Sequence, residues 1–250
     1  MKIAIIGYGR MGHLIEEIAK ERGHKIVCII DADNTSDFDT PEFKSADVAI
    51  EFTTPGSAVD STLASFAAGV PVVVGTTGWT DSLPDIKDMC EKGRGTMLFA
   101  SNFSIGVNIF RAVNKYLASV MNDFPEYTPS MTEIHHIHKL DHPSGTAVTL
   151  AGDIVQSMAR IDRWEEPEPG KVPDKHALQV NHVREGEVPG THVITWDSPV
   201  DSITIRHEAK NRVGFAFGAV RAAEWLKGRK GFFTIADMLS DVTRTKGLFV

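Results

Sequence analysis

The sequence predicts an α/β fold in two domains, the first built on a parallel sheet and the second an α+β domain with a mixed sheet. Short apolar runs alternate with helical segments over the first hundred residues, which is typical of βαβ units. A glycine-rich loop joins the first apolar run to the first helical segment. The alternation stops after Phe103, so we expect a differently built domain from there. With 250 residues, 42% of them hydrophobic, the chain can bury a sizeable core.

The first domain is predicted from apolar runs of three to five residues that stand between amphipathic stretches. Such runs suit strands that are buried on both faces of a parallel sheet, with right-handed crossovers between them. The predicted strands are Ile3–Ile6, Ile26–Ile30, Val48–Phe52, Val70–Val74 and Met97–Phe99. The predicted helices are Met11–Arg22, Ser57–Ala68 and Leu83–Glu91.

The second domain is predicted from long helices and from strands that no helices separate. Val107–Met121 carries apolar residues on one helical face, and a Pro-Ser-Gly turn opens another helix, Ser144–Arg160. The stretch Arg163–Asp174 is rich in proline and acidic residues and is predicted to be an exposed loop. The strand-like runs, which indicate a mostly antiparallel or mixed sheet, are Met131–His138, Leu178–Val183, His192–Trp196 and Ser202–His207. The last two segments are the helix Gly214–Lys227 and the tail Ile235–Leu239.

Charge and cysteine content narrow the classes of function. The formal net charge is -7, from 26 basic and 33 acidic residues, whereas a general nucleic-acid binder needs a concentrated basic face. The two cysteines, Cys28 and Cys90, suggest neither a disulfide framework nor a metal cluster. The N-terminal apolar run is too short for a signal peptide, and no stretch is apolar enough to span a membrane. We therefore expect a cytoplasmic protein without nucleic-acid or membrane partners.

Gly7, Gly9 and Gly12 form the pattern G-Y-G-R-M-G between the first strand and the first helix. In this context the first glycine permits a tight turn, the second lets the backbone approach a pyrophosphate, and the third allows helix and strand to pack closely. The free N–H groups at the start of the helix would bind the phosphates. The pattern favours a Rossmann-like dinucleotide-binding domain over a purely structural turn.

Two further segments of this domain are candidates for cofactor contacts. Asp31 ends the second predicted strand, where a carboxylate accepts hydrogen bonds from the ribose hydroxyls; the alternative is a solvated turn residue. A 2′-phosphate would be repelled there unless Arg10 compensates, so NADH is favoured over NADPH. The segment Gly75–Gly78, G-T-T-G, follows a strand and either lets a nicotinamide ring approach the backbone or forms an ordinary turn.

The densest titratable cluster is the string E-I-H-H-I-H-K, from Glu133 to Lys139. If the strand continues that far, His135 and Lys139 point to the same face, because alternate strand residues do so. An imidazole and an ammonium on one face suit proton delivery to a substrate that becomes electron-rich. The histidines could instead ligate zinc, but adjacent strand positions diverge and the lysine would repel a cation, so no metal site is predicted. Solvated or core histidines are the other alternative, and His138 is expected to be structural.

The residues P-S-G-T open the second-domain helix shortly after this string. Ser144 can cap the helix, while Gly145 and Thr146 would present backbone N–H groups and a hydroxyl at its positive end. Such an end binds carboxylates. Capping alone is the alternative, and the nearness of His135 and Lys139 in the sequence favours the anion site.

Together these motifs resemble the 4-hydroxy-tetrahydrodipicolinate reductase family, also called dihydrodipicolinate reductase. The most specific of them is the string from Glu133 to Ala147, E-x-H-H-x-x-K-x-D-x-P-S-G-T-A. Support comes from the glycine loop and from four further stretches: F-T-T-P at 52–55, G-T-T-G at 75–78, A-S-N-F-S-I-G-V-N at 100–108 and H-E-A-K-N-R at 207–212. The resemblance covers nearly the whole chain.

The resemblance implies an oxidoreductase that uses NADH or NADPH to reduce a small cyclic dicarboxylate. The implied reaction converts 4-hydroxy-tetrahydrodipicolinate to tetrahydrodipicolinate in the diaminopimelate pathway of lysine biosynthesis. Residues 1–102 and 213–250 would form the dinucleotide-binding domain, and residues 103–212 a domain for substrate binding and oligomerisation. The family is typically a homotetramer.

The resemblance also implies roles for individual residues. His135 would be the acid–base residue and Lys139 its partner proton donor, while His136, Gly145 and Thr146 would hold the substrate carboxylates. The residues that would line the cofactor are Gly7, Tyr8, Gly9, Arg10, Met11, Gly12, Asp31, Gly75, Thr76, Thr77, Ala100, Ser101, Asn102 and Phe103.

The sequence departs from the family pattern in three places, and two other hypotheses stay open. The glycine loop is one residue shorter than the family form G-x-x-G-R-M-G, His142 replaces the usual alanine, and no basic residue follows Asp31. A different dehydrogenase on the same scaffold would share the glycine loop but would not need the histidine–lysine string. A non-catalytic protein would bind NAD without turnover.

Overall fold

The computed structural model describes residues 1–243 and 249, and these form two compact units. Unit 1 comprises Met1–Ile105 and the described residues from Val213 onward, and unit 2 comprises Gly106–Arg212. Residues 244–248 and 250, which belong to the predicted range 213–250, lie outside the described residues. Among the described helices, none has both the length and the apolar character that crossing a membrane requires.

Unit 1 is a six-stranded parallel sheet with helices between its strands. Its strands are β1 (Lys2–Ile6), β2 (Lys25–Ile30), β3 (Val48–Glu51), β4 (Val72–Val74), β5 (Thr96–Phe99) and β11 (Gly231–Thr234). Its helices are α1 (Arg10–Glu21), α2 (Pro41–Lys44), α3 (Pro55–Ala67), α4 (Leu83–Glu91), α7 (Val213–Leu226) and α8 (Ile235–Thr243). The strand order β11-β5-β4-β3-β1-β2 places a topological switch point at β1 and β3, where open α/β sheets bind ligands.

Both faces of this sheet are buried, as its apolar strands require. Ile3 and Ile5 of β1 enter one apolar cluster, whereas Ala4 and Ile6 enter another, because successive strand residues face opposite sides. Helix α7 covers the first of these faces with small residues. A Cβ at Gly218 of α7 would lie 1.7 Å from a carbonyl oxygen in the loop after β5, so this close approach requires glycine.

Unit 2 is a five-stranded mixed sheet with two long helices. Its strands are β6 (Thr128–His135), β7 (Arg163–Glu165), β8 (Ala177–Arg184), β9 (Thr191–Asp197) and β10 (Ser202–Glu208), and its helices are α5 (Ile105–Met121) and α6 (Gly145–Ser157). In the order β10-β9-β6-β8-β7, β9 runs antiparallel to both of its neighbours, whereas β6, β8 and β7 pair in parallel. The predicted α/β fold class with a second, mixed sheet is therefore confirmed.

The end of β6 differs from the prediction in a way that matters for the site. The strand was expected to reach His138, but it ends at His135. The N–H of Lys139 donates to the His136 carbonyl at 3.2 Å, and that of Ile137 donates to the Gly186 carbonyl at 3.1 Å. These bonds turn the chain away from the sheet.

Other elements also differ from the predictions. The predicted loop Arg163–Asp174 begins with β7, because Trp164 packs against the apolar core of unit 2 and Arg163 pairs with Ala177 of β8. Helix α6 ends at Ser157 rather than Arg160, since Met158 takes an extended conformation. Strand β11 was not predicted at all, because four half-buried residues give too short an apolar run.

Candidate active site

The predicted cofactor-binding residues of unit 1 all follow the carboxyl ends of parallel strands. The glycine loop follows β1, Asp31 follows β2, the segment Gly75–Thr77 follows β4, and Ala100–Phe103 follows β5. Because parallel strands end at the same edge of a sheet, the four segments share that edge.

The glycine loop leaves open space at its middle while its other glycines are fixed by close contacts. Gly7 has a φ of +88°, and a Cβ there would lie 2.1 Å from the Phe52 carbonyl oxygen. A Cβ at Gly12 would lie 2.3 Å from the Gly7 carbonyl oxygen. Around Gly9, in contrast, no described atom comes within 4 Å of the Cβ position. The shorter loop therefore still leaves an open cradle around its second glycine.

Helix α1 begins directly after this cradle with an uncapped end. Gly9 is its N-cap, and within the described chain no side chain caps the helix and no acidic residue lies in its first turn. Its first N–H groups are thus available to an anion. Arg10 is exposed beside them, and Met11 packs partly buried against the core. The Tyr8 phenol turns away and donates to the Glu16 carboxylate.

Asp31 lies exposed after β2 in a turn that local hydrogen bonds hold. Its carboxylate accepts the N–H of Ala32 at 3.0 Å, and its own N–H donates to Asn34 Oδ1 at 2.7 Å. No residue from 32 to 37 is basic. The turn therefore presents a carboxylate without a neighbouring cation in the sequence.

Glu51, the last residue of β3, ties together the loops after β3 and β4. It is fully buried, and its Oε1 accepts the Thr53 N–H at 2.9 Å and the Thr76 hydroxyl at 2.8 Å. Burial raises the pKa of Glu51, although these hydrogen bonds oppose the shift. The Thr76 hydroxyl is thus already hydrogen-bonded to Glu51, whereas the Thr77 side chain is exposed. A Cβ at Gly75 would lie 2.2 Å from the ring of Phe52, so the loop passes tightly over that ring.

The segment after β5 is partly core and partly exposed. Ala100 and Phe103 are buried, and the Phe103 ring lies 5.8 Å from that of Phe52. Ser101 is exposed, and Asn102 Oδ1 accepts the N–H of Ser104 at 2.9 Å. Ser101 and Asn102 therefore place polar groups at the sheet edge. Ala100 and Phe103 pack beneath them in the core.

In unit 2, the buried face of β6 starts with apolar residues and ends in a cluster of buried polar side chains. Met131, Glu133 and His135 alternate on the same buried face. Glu133 Oε1 accepts from Arg184 Nη2 at 3.0 Å, and Oε2 accepts the Ser144 N–H at 3.0 Å and lies 3.2 Å from His135 Nδ1. Burial alone raises the pKa of Glu133, but these three neighbours outweigh it and hold the pKa at about 2. An ionised carboxylate thus lies against the His135 imidazole.

His192 of β9 completes this cluster. Its ring lies edge-on to that of His135, with centroids 5.4 Å apart, and its Nε2 is 3.3 Å from Ser144 Oγ. Burial first, and then the charge of His135, lower the pKa of His192 to about 4. His192 is therefore neutral at neutral pH. The cluster thus contains the ion pair between Glu133 and Arg184, with the uncharged His192 ring beside it.

A glycine leaves room for the His135 ring. A Cβ at Gly190, which has a φ of +152°, would lie 3.0 Å from His135 Nε2. His136 is half-buried on the next position, and its Nδ1 has no hydrogen-bond partner within the described part of the chain. A side chain at position 190 would therefore crowd the Nε2 edge of the His135 ring.

Lys139 is positioned by a turn and not by the strand face, which corrects the expectation from strand alternation. Its Nζ lies 2.8 Å from both carboxylate oxygens of Asp141. That ammonium lowers the pKa of Asp141. Arg184 donates to the Lys139 carbonyl at 3.2 Å and to the Asp141 carbonyl at 2.7 Å. Arg184 therefore anchors both Glu133 and the turn that carries Lys139.

The N-terminus of α6 has the predicted cap. Ser144 Oγ accepts the N–H of Ala147 at 3.2 Å. Gly145 is exposed, with no described atom within 4 Å of its Cβ position, and Thr146 is half-buried. The first turn contains no acidic residue, so the positive end of the helix can receive a carboxylate.

Comparison with known proteins identifies the family. Residues 1–103 match the family described as dihydrodipicolinate reductase, N-terminus, and residues 106–239 match dihydrodipicolinate reductase, C-terminus. The chain belongs to the dihydrodipicolinate reductase family. The 4-hydroxy-tetrahydrodipicolinate reductase of Christiangramia forsetii is 45% identical over 97% of this chain and 99% of its own length. The enzyme of the same name from Archaeoglobus fulgidus is 34% identical over 96% of this chain and 100% of its own.

A solved structure shares the fold of this reductase. The dipicolinate-bound dihydrodipicolinate reductase from Paenisporosarcina sp. TG-14 superposes with a TM-score of 0.76 at 22% identity, covering 94% of this chain and 97% of that one. The predicted family and its function, a nicotinamide-dependent oxidoreductase of the diaminopimelate pathway, are confirmed by the curated relatives.

Sequence reasoning missed several residues that organise this reductase's candidate site. His192 stands alone in an apolar strand, and Arg184 and Gly190 lie about fifty residues from the histidine string, so no local pattern linked them to it. Glu51 did leave a signal, because a charged residue that ends an apolar strand requires buried partners.

The buried cluster could in principle bind a metal, but its charges oppose this. Ligand atoms of Glu133, His135 and His192 lie within 4.8 Å of one another. The Arg184 guanidinium, however, bonds the same carboxylate at 3.0 Å and would repel a cation. The donor set suits proton transfer better than metal binding.

The depressed pKa of His192 predicts a loss of stability in mild acid. The unfolded chain takes up a proton near the usual histidine value of 6.5, whereas the folded chain does so only near 4, so stability falls as the pH falls through this window. His192→Asn lacks this contribution. Between about pH 7 and about pH 5, urea unfolding should show that the wild type loses roughly 2 kcal/mol more than the variant does. The exposed His138→Asn serves as control, and equal losses in all three proteins would contradict the prediction.

Proposed function

We propose that this reductase binds NADH along the carboxyl edge of the unit 1 sheet and reduces 4-hydroxy-tetrahydrodipicolinate to tetrahydrodipicolinate with the polar cluster of unit 2. The reaction consumes NADH and a proton and releases NAD⁺ and water. The observation that carries the proposal is the buried Glu133–His135 pair beside the open N-terminus of α6. It combines a proton source with a site for a dicarboxylate.

His135 supplies the proton that the substrate takes up. When bound, the cofactor supplies a hydride, and a conjugated ring that accepts a hydride must then be protonated. Glu133, ionised and 3.2 Å from Nδ1, orients the imidazole. Nε2 is then the atom for proton transfer, and the lack of a side chain at Gly190 leaves room beside it.

The substrate carboxylates are bound by cationic and N–H groups around α6. The backbone N–H groups of Gly145 and Thr146 and the Thr146 hydroxyl receive one carboxylate, because the helix end is positive there. His136 contributes Nδ1, which has no hydrogen-bond partner among the described residues. Lys139 releases Asp141 to engage the substrate and acts as the partner proton donor.

Inhibition by a planar analogue tests the substrate class. Dipicolinate should inhibit NADH oxidation competitively with the substrate, because it carries two carboxylates on a flat ring. The monocarboxylate picolinate should inhibit at least tenfold more weakly, since one carboxylate partner is missing. Steady-state NADH absorbance with both inhibitors measures this. Equal inhibition by the two compounds, or no turnover of the substrate, would refute the proposal.

The preference for NADH follows from Asp31. Its carboxylate can accept the ribose hydroxyls, and residues 32–37 offer no cation for a 2′-phosphate. The double change Asp31→Ser with Ala32→Arg should shift the NADPH/NADH ratio of kcat/KM upward by at least about tenfold. Asp33→Ser, an equally exposed acid nearby, is the matched control. A wild type that prefers NADPH would contradict the assignment.

A homotetramer and a cytoplasmic location complete the proposal. Family resemblance supports assembly through the unit 2 sheet. Strand β10 is an edge of that sheet and exposes Ile203, and Val200 is exposed in the turn before it. An apolar sheet edge of this kind suits contact with another chain.

A further inference from the structure

A second titratable cluster lies outside the candidate active site. His142 belongs to the loop between β6 and α6, Glu166 directly follows β7, and His182 lies on β8. His142 Nδ1 lies 3.0 and 3.1 Å from the two Glu166 carboxylate oxygens, and His182 Nδ1 lies 3.5 Å from Oε2. The two imidazoles stack nearly parallel, with ring centroids 4.2 Å apart and 18° between their planes.

The geometry matches the ligand spacing of a tetrahedral metal ion. Zinc bonds of ordinary length to imidazole and carboxylate separate the ligand atoms by about 3.4 Å. The measured separations to Glu166 lie around this value, and one ligand atom from each residue falls within 4.8 Å of the others. Both rings place Nδ1 beside the same carboxylate.

The charges of the cluster favour a cation as well. In the described part of the chain, the ion-pair partners of Glu166 are these two histidines, and no lysine or arginine neutralises it. Glu133, in contrast, already holds Arg184. A divalent ion accepts a lone pair from the carboxylate and from each ring.

We propose that His142, Glu166 and His182 form a three-ligand site for a divalent transition metal such as Zn²⁺, with water as the remaining ligand. Imidazole and carboxylate donors suit zinc, copper and nickel. The residues are exposed or half-buried, so an ion can enter from solvent. A bound ion ties the loop before α6 to β7 and β8. These ligands lie 24 and 16 residues apart in the chain, so no local sequence pattern links them.

Zinc titration of the chelator-treated protein tests the site. Isothermal calorimetry in a non-coordinating buffer should give one equivalent of Zn²⁺ per chain, and His182→Ala should weaken that binding at least tenfold. His176→Ala is the matched control, because His176 is an exposed histidine of unit 2 whose Nδ1 contacts the Arg160 carbonyl. It should bind like the wild type. Glu166→Gln provides a second ligand variant if His182→Ala does not fold.

The readout is independent of reductase activity, so it separates this inference from the proposed function. Co²⁺ should produce visible absorption bands in the wild type that His182→Ala lacks. Absence of stoichiometric binding, or unchanged binding in both ligand variants, would overturn the proposal. So would a loss of zinc in His135→Ala but not in His182→Ala, because the ion would then belong to the buried cluster.

Discussion

Replacing His135 or Lys139 with alanine is expected to lower kcat by about a hundredfold or more, the range that positioned proton donors contribute. His135 is buried against the ionised Glu133, and Lys139 is held in a turn by Asp141 and Arg184. Neither arrangement is needed by the apolar core. Their removal should therefore affect turnover much more than folding.

Steady-state rates with NADH and circular dichroism at matched concentrations measure this effect. His138→Ala is the control, because His138 belongs to the same histidine string but is exposed, and its ion pair with Glu187 lies at the surface. It should keep near-normal turnover. If His135→Ala is folded and turns over like the wild type, the proton-donor assignment is wrong.

Arg184→Met is expected to destabilise the protein by about 3 kcal/mol, because it leaves the fully buried Glu133 carboxylate without its guanidinium partner. The same change frees the carbonyls of Lys139 and Asp141. We therefore expect kcat to fall together with stability, as the turn that carries Lys139 loses its anchor.

A double-mutant cycle separates the buried charge from the anchored turn. Glu133→Gln with Arg184→Met should recover part of the lost stability, since the unpaired charge is gone, but should not recover kcat. Arg206→Met is the control, because Arg206 pairs with Glu208 on an exposed strand and surface pairs contribute little. Additive stability losses in the cycle would show that the two side chains do not interact.

The low pKa of Glu133 determines the pH down to which its ion pair with Arg184 persists. A carboxyl whose folded pKa is lowered from 4.5 to about 2 adds stability above the unfolded value, and that stability is lost as the pH falls through the folded value. The ion pair with Arg184 therefore persists to lower pH than an exposed pair would. His192 acts in the same sense, because the folded state also resists its protonation, but its contribution is already lost between about pH 6.5 and about pH 4.

Local patterns in the sequence were sufficient for the glycine loop and for the cap of α6. Gly7 and Gly12 belong to a strand–loop–helix unit whose contacts lie within the same short segment or its neighbouring strand. Ser144 bonds the N–H three residues ahead, which is a local geometry that the residue types specify. The same reasoning failed at Lys139, because alternation assumes that the strand continues and only the pairing with the Gly186 turn shows where it stops.

The sequence by itself determined the fold class, the dinucleotide loop and the histidine–lysine string, because each is encoded by residues close together in the chain. The tertiary structure decided which residues from distant parts of the chain lie beside them. Strand register brings His192 opposite Glu133, and the parallel pairing of β6 with β8 brings Arg184 and His182 to the same region. Pairing between strands fifty residues apart depends on the whole sheet, and no local pattern carries that information.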